Sequence, residues 1–197
     1  GYKVYRDDVI LTVTSNNFYN DTSVIPGKSY SYKVVAKGIH LDSLPSNSDS
    51  GYRMLTPPES VTVTSGIYED KIVLSWNASN GATGYKIFRG TIPTSLSLIA
   101  TTNQTSYSDT NTDLSYNTNY YYTIEAYTTV TTSEQTNIVI GSLKTPNIGT
   151  ITNLKATTGQ STVKLSWDAS ENATEYYVKC NVTGSLKIIT STTNTNV

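Results

Sequence analysis

Cysteine, methionine and histidine each occur once in these 197 residues, and only 15% of the residues are charged. A single thiol, Cys180, excludes an internal disulfide framework, a Cys-x-x-Cys pair and a thiolate metal site. His40, the one imidazole, lies far along the chain from Cys180. A Ser/His/Asp or Cys/His centre therefore lacks partners, and no catalytic residue, cofactor or metal site is expected. Charge of either sign is scarce: 14 Lys and Arg stand against 15 Asp and Glu, a net charge of −1. None of the basic residues cluster into the stripe that phosphate neutralisation needs, which argues against nucleic acid as a partner. No apolar run approaches the roughly 18 residues of a membrane span, so no membrane insertion is expected. No basic stretch leads into an apolar one as in an export signal, and any such address is expected outside these residues.

The excess lies in small polar side chains. Asparagine occurs 17 times, serine 24 and threonine 33, together about 38% of the chain, far above ordinary soluble usage. Tyrosine occurs 16 times. A surface built from hydroxyls and amides in place of Lys and Glu suits strands and an extracellular or cell-surface setting.

Internal repetition organises the chain. Lys71-Ile72-Val73-Leu74-Ser75-Trp76-Asn77-Ala78-Ser79 matches Val163-Lys164-Leu165-Ser166-Trp167-Asp168-Ala169-Ser170, with the two tryptophans 91 positions apart. That spacing is about one β-sandwich domain of roughly 100 residues. Gly84-Tyr85-Lys86-Ile87-Phe88-Arg89 recurs as Gly1-Tyr2-Lys3-Val4-Tyr5-Arg6 and, more loosely, as Glu175-Tyr176-Tyr177-Val178-Lys179-Cys180. Tyr30-Ser31-Tyr32-Lys33-Val34-Val35-Ala36 pairs with Tyr120-Tyr121-Tyr122-Thr123-Ile124-Glu125-Ala126. Boundaries are expected at Thr56-Pro57-Pro58 and Thr145-Pro146-Asn147, where proline fixes φ and removes a ladder donor. The linkers are short and poor in Gly and Ser, which predicts semi-rigid, end-to-end modules.

Within a repeat the hydrophobic period is two. Ile72, Leu74 and Trp76 alternate against Lys71, Val73 and Ser75, and Tyr120, Tyr122, Ile124 and Ala126 against Tyr121, Thr123 and Glu125. No capped stripe at i, i+3, i+4 marks a helix. Short strands between Asn, Gly, Asp, Ser and Pro clusters predict an all-β, two-sheet sandwich of about seven strands. Trp76 is expected to be buried with Tyr85, Ile87, Tyr122 and Ile124.

These residues resemble the fibronectin type III domain, over essentially the whole chain. The domain-opening proline, the strand ending Leu74-Ser75-Trp76 or Leu165-Ser166-Trp167, and the following Gly-Tyr-x-Ile/Val look like that family's A, B and C strands. Val24-Ile25-Pro26-Gly27-Lys28-Ser29-Tyr30 and Leu114-Ser115-Tyr116-Asn117-Thr118-Asn119-Tyr120 look like its approach to strand F, and Ser43-Leu44-Pro45-Ser46-Asn47 like its entry into strand G. Val24, Tyr116 and Glu175 depart from the pattern, and they loosen turns without disturbing the core alternation. The resemblance implies a tyrosine corner at Tyr30 and at Tyr120, and core roles for Trp76, Trp167, Tyr85 and Tyr176. It also implies tandem immunoglobulin-like sandwiches: residues 1-56 a partial repeat from strand C onward, 57-145 a complete repeat, and 146-197 a partial repeat from strand A to C′. Two causes fit the partial ends, a window cut from a longer repeat protein or terminal strands exchanged between subunits to build a filament.

Several residues invite a functional reading beside a plainer one. Asp7-Asp8 and Glu69-Asp70 are read as turn residues, since they lack the alternating Asp, Gly and distal Glu of a calcium loop. Gly81-Ala82-Thr83-Gly84 precedes a strand and lacks the lysine of a phosphate loop. Asn-x-Ser/Thr sequons stand at Asn20, Asn77, Asn103, Asn172 and Asn181, about the number that chance supplies at this composition, and each is a candidate N-glycosylation site. Strand parity points Phe88 and Tyr121 outward on neighbouring strands, with Tyr5 repeating the Phe88 position. Such a face suits stacking on a sugar or docking a protein, and equally suits plain cross-strand pairing.

The expectation is a non-catalytic spacer or adhesive module of a longer microbial or viral surface protein. Its partners would be neighbouring domains of the same chain, and in addition other copies of itself, a cell-surface protein or a glycan. Two alternatives stand: an accessory, carbohydrate-binding region of a secreted polysaccharide-degrading enzyme, or a strand-exchanging filament subunit.

Overall fold

The computed structural model describes residues 1–182 and 184–195. Fifteen strands account for its regular structure, with no helix among the described residues. Two compact units are present, Gly1–Lys144 and Thr145–Val197.

The first unit opens with one antiparallel sheet of β1 (Tyr2–Arg6), β2 (Val9–Thr14), β3 (Ser29–Ala36) and β4 (Asp49–Tyr52), in the order β2-β1-β3-β4. Asp7 and Asp8 make the hairpin turn between β1 and β2, at φ 49° and 66°. Two successive residues with positive φ are what a tight hairpin twist needs, and short Asp side chains tolerate it. The Asp7 carboxylate also accepts the Ser31 N–H at 3.0 Å, which ties the turn to β3.

A complete sandwich follows. One sheet holds β5 (Glu59–Val63), β6 (Ile72–Asn77) and β9 (Ser106–Asp109). The other holds β7 (Gly84–Ile92), β8 (Ser95–Thr102), β10 (Tyr120–Tyr127) and β11 (Val139–Gly141), in the order β11-β10-β7-β8. Alternation fills the space between the sheets: Ile72, Leu74, Ile87, Tyr122, Ile124 and Ala126 are fully buried, and Trp76 and Tyr85 nearly so. Each such aliphatic or aromatic side chain contributes about 1.5–3 kcal/mol by leaving water. Thr123 departs from the alternation. It belongs to the outward set of β10 yet is buried, because the segment before β11 folds over it and its hydroxyl donates to Gln135 Oε1 at 3.1 Å.

The second unit comprises β12 (Lys155–Thr158) paired with β13 (Val163–Ser166), and β14 (Tyr176–Val182) paired with β15 (Ser185–Thr192). Among its described residues, Trp167 and Tyr176 are the buried hydrophobic ones. They border a cavity of about 540 Å3 that Ile148, Leu154, Leu165 and Val178 also line.

Candidate functional site

Four features of the strands bear on function: two tryptophan–tyrosine pairs, a repeated ion cluster, an outward apolar strip and a tight joint. Trp76 meets Tyr85 edge-on with ring centroids 5.3 Å apart, and Trp167 meets Tyr176 in the same way at 5.4 Å. The Tyr85 hydroxyl accepts the Ser79 N–H at 3.1 Å and the Tyr176 hydroxyl accepts the Ser170 N–H at 3.0 Å. Each ring therefore packs its body in the core while its polar tip closes the loop that follows the tryptophan strand. Tyr30 and Tyr120 are buried at the start of β3 and β10. The Tyr30 hydroxyl accepts the Ile25 N–H at 3.1 Å, whereas the Tyr120 hydroxyl accepts the Ser115 N–H at 2.8 Å and donates to the Asp113 carbonyl at 3.1 Å.

The ion cluster escaped the sequence reading. Arg89 is buried on β7 and donates to Asp109 at 2.9 Å and also to Asp113, with its guanidinium 5.2 Å above the Tyr120 ring. Asp109 is wholly buried; it accepts the Tyr122 hydroxyl at 2.8 Å and the Asn111 side-chain amide at 2.8 Å. Burial, then the charge and hydrogen bond of Asp109, push the Tyr122 hydroxyl far up from its usual range. The N-terminal sheet repeats the arrangement. Arg6 donates to Asp21 at 2.9 Å and lies 5.0 Å above the Tyr30 ring, and Asp21 accepts from the Tyr32 hydroxyl at 3.0 Å and the Ser23 hydroxyl at 2.7 Å. Burial disfavours the Asp21 charge, but the Ser23 hydroxyl and amide, Tyr32 and Arg6 together outweigh it and hold the carboxyl below the ordinary range. A signal was present: Tyr19-x-Asp21-Thr22 and Tyr107-x-Asp109-Thr110 repeat upstream of the paired Tyr segments. Cys180 takes the arginine's place in the second unit and is exposed.

The outward aromatic residues separate into two settings. Phe88 and Tyr121 are half-buried on one face of the middle sandwich, with Tyr121 opposite Ile140, Phe88 opposite Leu98, and Thr123 between them opposite Phe88. Ile140 is 48% exposed and Leu98 52%, so apolar side chains form a strip across one face of all four strands, in two pairs on either side of the covered Thr123. Lys86 and Glu125, paired at 3.1 Å, flank it. Tyr5 is not part of this strip: it lies in the N-terminal sheet opposite Ile10 and Lys33, and Lys33 is ion-paired with Asp8. The inner face of that sheet borders a separate cavity of about 600 Å3, lined by Tyr2, Val4, Phe18, Tyr19, Tyr32 and Tyr52 among others.

Within the first unit the N-terminal sheet and the middle sandwich meet at a close joint. Leu55, in the connecting segment, is buried in the sandwich core. The Thr128 hydroxyl donates to the Gly27 carbonyl at 3.1 Å. Gly27 and Gly81 both have positive φ, and a Cβ on Gly27 would lie 2.6 Å from Thr128 Cγ2 while one on Gly81 would lie 2.1 Å from the Pro26 oxygen. Only glycine allows the two turns to approach this closely.

Asn20, Asn77, Asn103, Asn172 and Asn181 are all exposed, although the Asn77 amide donates to Ser60 at 3.2 Å and the Asn172 amide to the Asn147 carbonyl at 2.9 Å. His40 is exposed in the loop after β3. No group of three or more His, Cys, Asp or Glu suited to a metal occurs among the described residues, and no helix is long and apolar enough to cross a membrane.

No family model and no curated protein matches the chain. Solved structures do. A fibronectin type III-like protein from Clostridium thermocellum is 24% identical over 47% of this chain and 97% of its own, with a TM-score of 0.41. A two-domain fibronectin type III segment of chicken tenascin is 19% identical over 58% of this chain and 64% of its own, at a TM-score of 0.48. The FN1-FN3 domains of chicken CNTN1 are 12% identical over 97% of this chain and 76% of their own, at 0.40. On its own strand order, three strands facing four with the chain passing between sheets after β6, β8 and β9, the fold of this protein is that of tandem fibronectin type III-like, immunoglobulin-like β-sandwiches.

Proposed function

We propose that this chain is a non-catalytic spacer or adhesive stretch of a longer extracellular surface protein, microbial or viral, with modules divided at 56/57 and 145/146. The joint inside the first unit carries the reading. A flexible tether needs no buried linker residue and no glycine-on-carbonyl contact, whereas a stalk that holds distance and direction needs both. Leu55 in the sandwich core, Thr128 on Gly27 and Gly81 against Pro26 supply that rigidity. The buried ionisable groups fit a structural role, since Arg89, Asp109 and Tyr122 satisfy one another. A composition rich in hydroxyls and amides supports the extracellular setting.

Small-angle scattering of the intact chain tests this. The expected result is a narrow distribution of separations between the N-terminal sheet and the middle sandwich, broadened by Gly81→Val, which cannot seat beside Pro26. A distribution equally broad in both proteins would remove the basis of the spacer reading.

The strip Ile140, Tyr121, Phe88 and Leu98 favours a second reading, in which the middle sandwich also binds a glycan or a partner protein. Half-buried aromatic rings on an outward sheet face can stack on the apolar face of a pyranose. Screening on a glycan array should show binding that a Phe88→Ala, Tyr121→Ala double variant loses; retention of full binding by that variant excludes this face.

A further inference from the structure

We propose that Asn80-Gly81 is a self-modifying site whose deamidation loosens the joint between the N-terminal sheet and the middle sandwich. It is the one Asn-Gly step in the sequence. The step lies in the loop between β6 and β7, in a turn closed by the Ala82 N–H on the Ser79 carbonyl at 3.2 Å. Asn80 is exposed. Among the described residues nothing bonds its side-chain amide, and the Gly81 N–H donates to no acceptor. Glycine also brings no side chain to shield its nitrogen.

The chemistry needs only water. The Gly81 nitrogen gives its proton to solvent base and attacks Asn80 Cγ; the N–Cγ bond forms as the Cγ–Nδ2 bond breaks, ammonia departs, and a five-membered imide remains. Water then adds to one of the two imide carbonyls. Opening at the former side-chain carbon leaves aspartate in the normal chain. Opening at the main-chain carbon leaves isoaspartate, in which the backbone runs through Cβ and Cγ and is one methylene longer.

Position gives this reaction its consequence. Gly81 sits at φ +83°, so close to Pro26 that even a Cβ would be 2.1 Å from the Pro26 oxygen. An added methylene one residue earlier displaces Gly81 from that seat, and either product adds a negative charge to the turn that forms it. The second unit has Glu171-Asn172 at the matching positions, with Asn172 supplying the positive φ of 61°. The reactive step is therefore confined to the loop that forms the joint. The chemistry depends on the Asn80-Gly81 step alone, and its effect on the joint's geometry alone, whatever the modules carry.

The intact chain, held in warm, mildly alkaline buffer, is sampled over time by peptide mass spectrometry, by isoaspartyl methyltransferase labelling and by small-angle scattering. Asn80 is expected to convert about tenfold faster than any other asparagine, because only its neighbour lacks a Cβ, and scattering should broaden in step with conversion. Asn80→Gln, which cannot close a five-membered ring, should keep both its mass and its starting profile. The proposal is overturned if Asn80 survives while another asparagine reacts, or if full conversion leaves the scattering identical to that of Asn80→Gln.

Discussion

The middle sandwich and the second unit carry nearly the same tryptophan strand and bury it to different depths. Ile72 and Leu74 are fully buried in β6, whereas their counterparts in β13 are Val163, 62% exposed, and Leu165, half-buried. Yet Trp76 and Trp167 are similarly buried, and each meets its tyrosine at nearly the same distance and angle. The tryptophan–tyrosine pair is thus a local product of the two strands that carry it. Burial of the aliphatic residues depends on the β10 face, where Tyr122 and Ile124 close over them.

The largest expected effect follows from that difference. Trp76→Ala should cost the middle sandwich about 3–5 kcal/mol, since a cavity opens among residues that cannot collapse. Trp167→Ala should cost about half as much, because its surroundings are already open to water on one side. Chemical denaturation followed by circular dichroism, with hydrogen exchange at β6 and β13 amides to locate the loss, would measure both. Equal costs would break the comparison.

Much of the sandwich was legible because burial on one face forces a period of two, and Ile72, Leu74 and Trp76 stand at that period. The ion cluster was not. Arg89 sits at an inward position that a polarity rule assigns to solvent, and its partner Asp109 lies twenty residues on, at the end of a strand in the opposite sheet. Nothing in a two-residue period identifies a charge whose burial is balanced by a distant carboxylate. Thr123 fails for a related reason, since the segment that covers it comes from beyond β10. The apolar strip was half legible: parity places Phe88 and Tyr121 on one face, but the register alone brings Ile140 and Leu98 into line with them.

Comparing the two ion clusters sharpens what burial does. Asp109 has no exposure and Arg89 very little, while the Arg6 side chain keeps 24% and Asp21 7%. Asp109→Ala leaves a buried guanidinium with one outer partner and should cost about 3 kcal/mol, with Asp21→Ala nearer 1 kcal/mol because Arg6 turns to water. Acid should act on the N-terminal cluster with a defined sign. The folded-state pKa of Asp21 is lowered, so its contribution is complete above the ordinary aspartate range and is lost as pH falls through the lowered value. Following denaturation midpoints down in pH for the natural chain and Asp21→Asn should show the two curves converging in acid. Parallel curves would mean that the Asp21 charge contributes nothing.

The smallest effect concerns the hydroxyl excess, and it compares the segments that close β3 and β10. Past the end of each strand the chain returns without forming a regular strand, and side-chain oxygens take the place of part of the ladder. Ser43 and Ser46 accept the Ala36 and Val34 N–H groups at 2.9 and 3.0 Å, and Ser133 and Thr136 accept those of Ala126 and Ile124, both at 3.0 Å. Backbone N–H groups of the same four returning residues donate to the same strand residues' carbonyls at 2.8–2.9 Å. One hydroxyl residue thus serves both groups of the residue it faces, which gives the Ser and Thr at these four positions a role beyond filling surface. Replacing Ser133 by Ala strands a buried amide and should cost about 1–2 kcal/mol; the exposed Ser46→Ala should cost about 0.5 kcal/mol, because water can reach the Val34 amide. Denaturation midpoints of the two variants report the difference directly, and a loss for Ser46→Ala equal to or larger than that for Ser133→Ala would reverse the assigned order.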